Sequence, residues 1–280
     1  MKVVKNYMKP NLPKNAAVLH EGSSKKILRL PSWSPPVIIF VAIIVIWVVF
    51  IELFKIPTYL LPSPKQIVLE MIRNLPMFLK NGQWTMIEAV SGFILGGGFG
   101  FLLGVFLTIS KFWEKGCLPY IIASTTVPIV AFAPLVVVYV GFGIQAKIVI
   151  AAIVSFFPLC LYTQKGLMST DLVQRDLFYS LAASRKDQFF KLQLPTSLPY
   201  VLTAMKQTST VAVVSAIIAE YIQADRGFGY LILSSSYQMN IPRLWASIIF
   251  SSIMAITFYV IVVIIEKRLL SWHSSMVDQK

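Results

Sequence analysis

Three carboxylates lie within apolar runs of this 280-residue chain, Glu52, Glu88 and Glu220. Burying a charge at the centre of a bilayer costs at least ~3 kcal/mol, so an intramembrane acid faces a cavity or sits near an interface. All three fall near the ends of their runs, so interfacial placement is the expectation, and Glu88 and Glu220 are the acids to test for a translocation pathway. Other chemistry is poorly provided for. The two histidines, His20 and His273, fall in the terminal segments, which leaves no imidazole for zinc binding or proton transfer inside the apolar runs. No catalytic residue and no metal site are expected: Ser155 and Tyr162 have no evident activating base. Nor does a G-x-x-x-x-G-K-S/T segment occur, so any ATP used must be bound by a separate subunit. Gly92, Gly96, Gly100 and Gly104 are spaced by four and share one helix face. With no Lys-Ser or Lys-Thr behind them they suit close helix packing better than phosphate binding.

The elements that must carry these residues are membrane helices. Hydrophobic residues make up 56% of the chain and charged residues 13%, and the apolar residues gather into runs approaching the roughly 20 residues that cross a hydrocarbon core. Six runs can be drawn, at 36–54, 84–110, 119–140, 147–163, 200–221 and 244–265, with Pro128, Pro134 and Pro158 interrupting the third and fourth. With the N-terminus placed inside, eighteen of the twenty-five basic residues fall on the inner side, as the positive-inside rule asks. The net charge of +13 then reflects membrane orientation; a nucleic-acid binder would cluster its basic residues on one soluble face. Cys117 and Cys160 are placed as packing residues, with no extracytoplasmic disulfide.

The resulting organisation is a basic cytoplasmic tail over 1–34, a first span and outer surface segment over 35–83, a core over 84–265 and a cytoplasmic tail over 266–280. The tail at 1–34 lacks the apolar core of a cleaved signal peptide. In the outer segment Leu61-Pro62-Ser63-Pro64 makes a rigid turn, Ile67, Met71, Leu75 and Phe78 recur at helical spacing, and Pro76 is expected to break that helix early.

The polar segment 164–198 between the fourth and fifth runs is the most distinctive part of the core. Ser169, Thr170 and Asp171 offer capping oxygens, and Leu172, Val173, Leu177, Phe178 and Leu181 follow at mixed three- and four-residue spacing, which predicts a short amphipathic helix. Ser184 to Asp187 forms a second cap, starting a helix that Pro195 must stop. The small Ala182 and Ala183 at the junction let a partner surface approach closely.

This segment resembles the inner loop of the permease subunits of ATP-binding-cassette importers, whose pattern is E-A-A, three residues, G, nine residues, I-x-L-P. Aligned on Leu194-Pro195, Asp176, Leu177 and Phe178 fall at E-A-A, Ala182 at the glycine and Leu192 at the isoleucine; the Leu-Pro pair matches outright. The nitrate, sulfonate, taurine and thiamine-precursor branch is resembled more strongly, through Leu61-Pro62-Ser63-Pro64, Val127-Pro128 with Ala133-Pro134-Leu135, Gly141-Phe142-Gly143, Phe156-Phe157-Pro158, Leu198-Pro199, Ala219-Glu220 and Gly227-Phe228-Gly229-Tyr230. Their order and spacing carry the resemblance from Leu61 to Trp272.

The resemblance implies an all-α, polytopic permease of about six spans in a bacterial inner membrane, both termini cytoplasmic, working as a homodimer. Its partners would be lipid, a cytoplasmic ATPase dimer that binds the ATP and magnesium, and an extracytoplasmic solute-binding protein; this chain itself would hold no cofactor. The residues implied in coupling are Asp176, Leu177, Phe178, Ala182, Ala183, Ser184, Leu192, Leu194 and Pro195. Glu88, Tyr139, Glu220, Phe228 and Tyr230 are the pathway candidates. The stretch around Glu88, Thr-Met-Ile-Glu-Ala-Val-Ser-Gly-Phe, looks most like permeases for thiamine pyrimidines or riboflavin, with sulfonate, taurine and nitrate as the alternative. An ion-driven carrier would be expected to show paired functional charges or unwound helices near the midplane. A membrane enzyme or a scaffold is the remaining alternative.

Overall fold

A computed structural model describes Pro31, residues 34–222 and residues 225–270. The two expected tails, with His20, His273 and Trp272, lie wholly or mostly outside them. The chain divides into two compact units, Met1–Trp47 and Val48–Lys280. The first unit contributes, among the described residues, the start of the apolar helix α1, Ser34–Phe54.

The second unit is helical throughout its described residues. Ser63 caps α2, Pro64–Arg73, through a capping box with Gln66, and Pro64 occupies the first turn, where its missing N–H costs nothing. Pro76 does not break a helix, contrary to expectation: the break falls at Asn74, and Pro76 sits in the first turn of α3, Leu75–Ile109. That helix runs about 50 Å at 1.5 Å per residue and passes through residue 83 unbroken.

The third span is interrupted at Pro128, as the sequence suggests. It is two helices, α4, Lys111–Ser124, and α5, Ile129–Val140, bent by 102° at their junction. Pro128 explains the break, because it has no N–H to donate and disfavours helical geometry in the residue before it. By contrast α6, Ile144–Met168, passes through Pro158 without interruption. Five described helices are long and apolar enough to cross a membrane, or six if the bent pair is counted as one span.

After α6 come α7, Leu172–Ser180, and α8, Arg185–Gln188, then a π-helical turn over Phe189–Gln193 and α9, Leu194–Ile222. Pro195 therefore does not stop the helix, which also corrects the expectation. The wider turn before it, in which Leu194 N–H donates to Phe189 C=O, removes the demand for a regular bond at the proline. The chain ends with α10, Phe228–Tyr237, and α11, Ile241–Leu269.

The core is α3 against α6 and α9, and the glycine face explains how closely α3 approaches α6. A Cβ at Gly96 would overlap the backbone carbonyl of Ala152, one at Gly100 that of Phe156, and one at Gly92 the Cβ of Ala151; one at Gly104 would lie 2.7 Å from the Cys160 carbonyl. Small residues at such a face let backbones meet where lipid offers no hydrophobic driving force.

Candidate functional site

The residues that the resemblance implies in coupling stand on a projecting segment between α6 and α9. Asp171 caps α7, its carboxylate accepting from Val173 N–H at 3.3 Å. None of α7 is fully buried, and Leu172, Val173, Leu177, Tyr179 and Leu181 are strongly exposed, which leaves a large apolar surface uncovered in the isolated chain.

The end of α7 is a Schellman turn. Ala183 N–H donates to Phe178 C=O and Ala182 N–H to Tyr179 C=O, both at 3.0 Å, and Ala182 has φ +52°. That left-handed backbone is the conformation glycine accepts without strain. Ser184 then caps α8, accepting from Asp187 N–H at 3.1 Å and donating to its carboxylate. Lys191 lies 2.6 Å from Asp187. Hydrogen bonds from Lys191, then Ser184, hold the Asp187 carboxyl below the usual carboxylate range. Leu192 is buried, and Leu194 and Pro195 are half-buried at the base of α9. Asp176 is exposed and Phe178 half-exposed on α7.

At the other end of the unit, Glu88 and Glu220 are both buried inside the protein. The reason is that each has a partner the sequence did not reveal. Lys147 Nζ of α6 lies 3.1 Å from Glu88 Oε1, a charge contact outside good hydrogen-bond alignment. Glu220 accepts from the Thr85 hydroxyl at 2.7 Å and from Gly229 N–H at 2.6 Å. Thr85 Oγ1 in turn accepts from Phe228 N–H at 2.9 Å, and Asn81 Oδ1 from Gly227 N–H at 2.8 Å. Asn81, Thr85 and Glu88 thus present one face of α3 to the Gly227-Phe228-Gly229 turn and to Glu220 of α9. Gly227 has φ +101°, and a Cβ there would overlap the Glu220 carboxylate. The glycines of this motif are needed because backbone meets a buried acid.

The pathway candidates are therefore only partly assembled. Phe228 is buried and joins Glu220 through Thr85. Tyr230 lines a separate cleft with Trp84 and Arg226. Tyr139, on α5, is 85% exposed and touches none of this cluster's hydrogen bonds. Lys147 was the discoverable omission: a lone lysine opening an apolar run, at the level of an acid on a neighbouring run, is a partner candidate by charge alone. Two further pairs, Lys206 with Glu266 at 2.7 Å and Arg243 with Glu70 at 2.8 Å, tie α11 to α9 and α2.

The chain is 31% identical over 243 residues to the formylaminopyrimidine transport permease protein ThiX of Halalkalibacterium halodurans, covering 85% of this chain and 95% of that one. It is 28% identical to a putative aliphatic sulfonates transport permease protein, SsuC, of Bacillus subtilis (95% and 96% covered), and 25% identical to the riboflavin transport system permease protein RibX of Chloroflexus aurantiacus (83% and 88% covered). Among solved structures, an amino acid ABC transporter crystallised with histidines superposes with a TM-score of 0.60 at 18% identity, covering 71% of this chain and 97% of that one. The inward-facing MetNI methionine ABC transporter gives 0.56 at 17%, with 70% and 95% covered. These share the type I importer permease fold. Residues 96–271 match the family described as binding-protein-dependent transport system inner membrane component, and the chain is a multi-pass inner-membrane permease belonging to that family.

Proposed function

We propose that this permease passes a small heterocyclic solute of the thiamine-pyrimidine or riboflavin type into the cytoplasm, received from an extracytoplasmic binding protein and driven by a separate ATPase dimer. The observation that carries the coupling part is the exposed α7–α8 segment: a capped helix with uncovered leucines, rooted directly in two core helices. An ATPase whose closure is to drive transport must bind two permease conformations with different affinity, and a rigid segment continuous with α6 and α9 is suited to that. The permease works as a homodimer around a central pathway, with both termini cytoplasmic, and it leaves ATP and magnesium to its partner. The substrate reading is supported by two of the relatives above, which are named for formylaminopyrimidine and riboflavin; sulfonate transport is the alternative that a third supports.

The test is affinity purification from gentle detergent, with mass spectrometry of retained proteins, of the full chain, a variant lacking residues 176–190, and Ala182→Arg. The full chain should retain an ATPase that the deletion loses, and Ala182→Arg should insert normally while uncoupling hydrolysis from uptake. Recovery of no ATPase with intact folded chain, or normal uptake by Ala182→Arg, would count against this reading.

A further inference from the structure

The break in the third span borders a half-enclosed cavity of about 450 Å³ between α5, α6 and α9, within the roughly 300–1,000 Å³ of small-molecule sites. Phe132, Phe157 and Val214 supply apolar wall, Ser124, Thr125 and Ser215 supply the hydroxyls, and no charged residue or histidine lines it.

The side-chain hydroxyls have one sign. Ser124 already donates its proton to Tyr120 C=O at 2.8 Å, Thr125 to Ile122 C=O at 2.7 Å and Ser215 to Val211 C=O at 2.8 Å. A hydroxyl has a single proton, so each retains only acceptor lone pairs. The backbone adds both signs, since the N–H groups of Ile129 and Val130 that open α5 donate to no backbone or capping group among the described residues. Among the described residues the carbonyls of Thr125 and Val127 accept no backbone hydrogen bond, and Pro128 has no N–H to offer. Non-helical backbone at membrane depth persists only where protein covers it or it lines a polar cavity. A lipid chain in this cavity would leave these acceptors unpaired.

We infer that the cavity is a solute-contact site of the permease itself, taking a small uncharged ring that carries amino or hydroxyl donors and rejecting sulfonate-like anions. An aromatic ring meets the apolar wall and its donors meet the acceptors. A sulfonate would be half-enclosed there with no cation lining the cavity, and an unpaired buried charge is strongly disfavoured. The inference rests on the heterocycle reading above and locates a site for it.

The experiment is equilibrium binding of radiolabelled formylaminopyrimidine to the purified full chain in lipid nanodiscs, without binding protein, with unlabelled taurine as competitor. Saturable binding is expected, undisturbed by a hundredfold excess of taurine, weakened at least tenfold by Val214→Phe, which fills the cavity, and about fivefold by the isosteric Thr125→Val, which removes an acceptor. Thr125→Val keeps the test decisive if Val214→Phe does not fold. Absence of saturable binding, displacement by taurine, or binding unchanged in folded Thr125→Val and Val214→Phe would overturn the site. ATP-dependent cellular uptake of the same pyrimidine separates the two readings: uptake without such binding sinks the site and leaves the heterocycle reading standing, whereas uptake of taurine in place of the pyrimidine overturns both.

Discussion

Ala182 shows how much a single residue can carry in this protein. It occupies the position of the importer-loop glycine in the alignment above, and the structure gives it the positive φ that glycine adopts freely. An L-residue in that conformation costs about 1 kcal/mol. Ala182→Gly should therefore leave the Schellman turn intact and raise stability by about that amount, less what glycine loses in unfolded-chain entropy, seen as a small increase in Tm in detergent. A fall in Tm would mean that the methyl group makes a contact worth more than the strain. Glu88 is the opposite case, a side chain whose removal strands a partner. Glu88→Gln leaves Lys147 buried without its counter-ion, at a cost of about 3–5 kcal/mol, and Glu88→Gln with Lys147→Met should recover much of the loss. Equal Tm values for the single and double variants would show that the pair carries no coupled energy. Neither effect was fully legible beforehand. The apolar context marked Glu88, but the partner lies 59 residues away on another helix, and local spacing cannot report a contact between helices.

Among the elements, what could be read in advance were properties of one helix at a time. Apolar run length gave the spans, and the four-residue glycine spacing gave a packing face. Oxygen-bearing residues at Asp171 and Ser184 gave the caps. Pro76, Pro158 and Pro195 interrupt less than the sequence suggests, because the effect of a proline depends on where the helix begins and on whether a π turn can absorb it. Pro76 and Pro195 sit near helix starts and Pro158 inside one, while Pro128 marks a real break. The glycine face makes a paired prediction at this scale. Gly96→Leu must push α3 away from the Ala152 carbonyl, whereas Gly98, one turn face away, has nothing within 4 Å of a modest side chain's first carbon. Gly96→Leu should cost at least the 1–3 kcal/mol of an overpacked core, and Gly98→Leu should be nearly neutral. Size-exclusion profiles with Tm of the two variants check this, and equal behaviour would show that the α3–α6 approach is not what the glycines serve.

Taken as a whole, the second unit is a lever on a stiff body. Charge and hydrogen bonds join α3, α6, α9 and the 227–229 turn at one end, and Lys206 with Glu266 joins α9 to α11 farther along. The α7–α8 segment leaves α6 through only Ser169 and Thr170, and enters α9 through the continuous π turn. The two connections are unequal. Ser169 and Thr170 bond back to Gly166 and Leu167 carbonyls, which fixes the exit from α6, while the entry to α9 is helix throughout. A force applied to α7 is transmitted to α6 only while that exit stays rigid. Inserting two glycines between Thr170 and Asp171 should spare the surface of α7 and its affinity for an ATPase, yet abolish transmission to α6. The expected outcome is undiminished ATPase copurification, continuing ATP hydrolysis and uptake reduced at least tenfold in reconstituted vesicles. Retained uptake would assign transmission to the α9 side alone, and loss of copurification would mean that the exit geometry positions the docking surface itself.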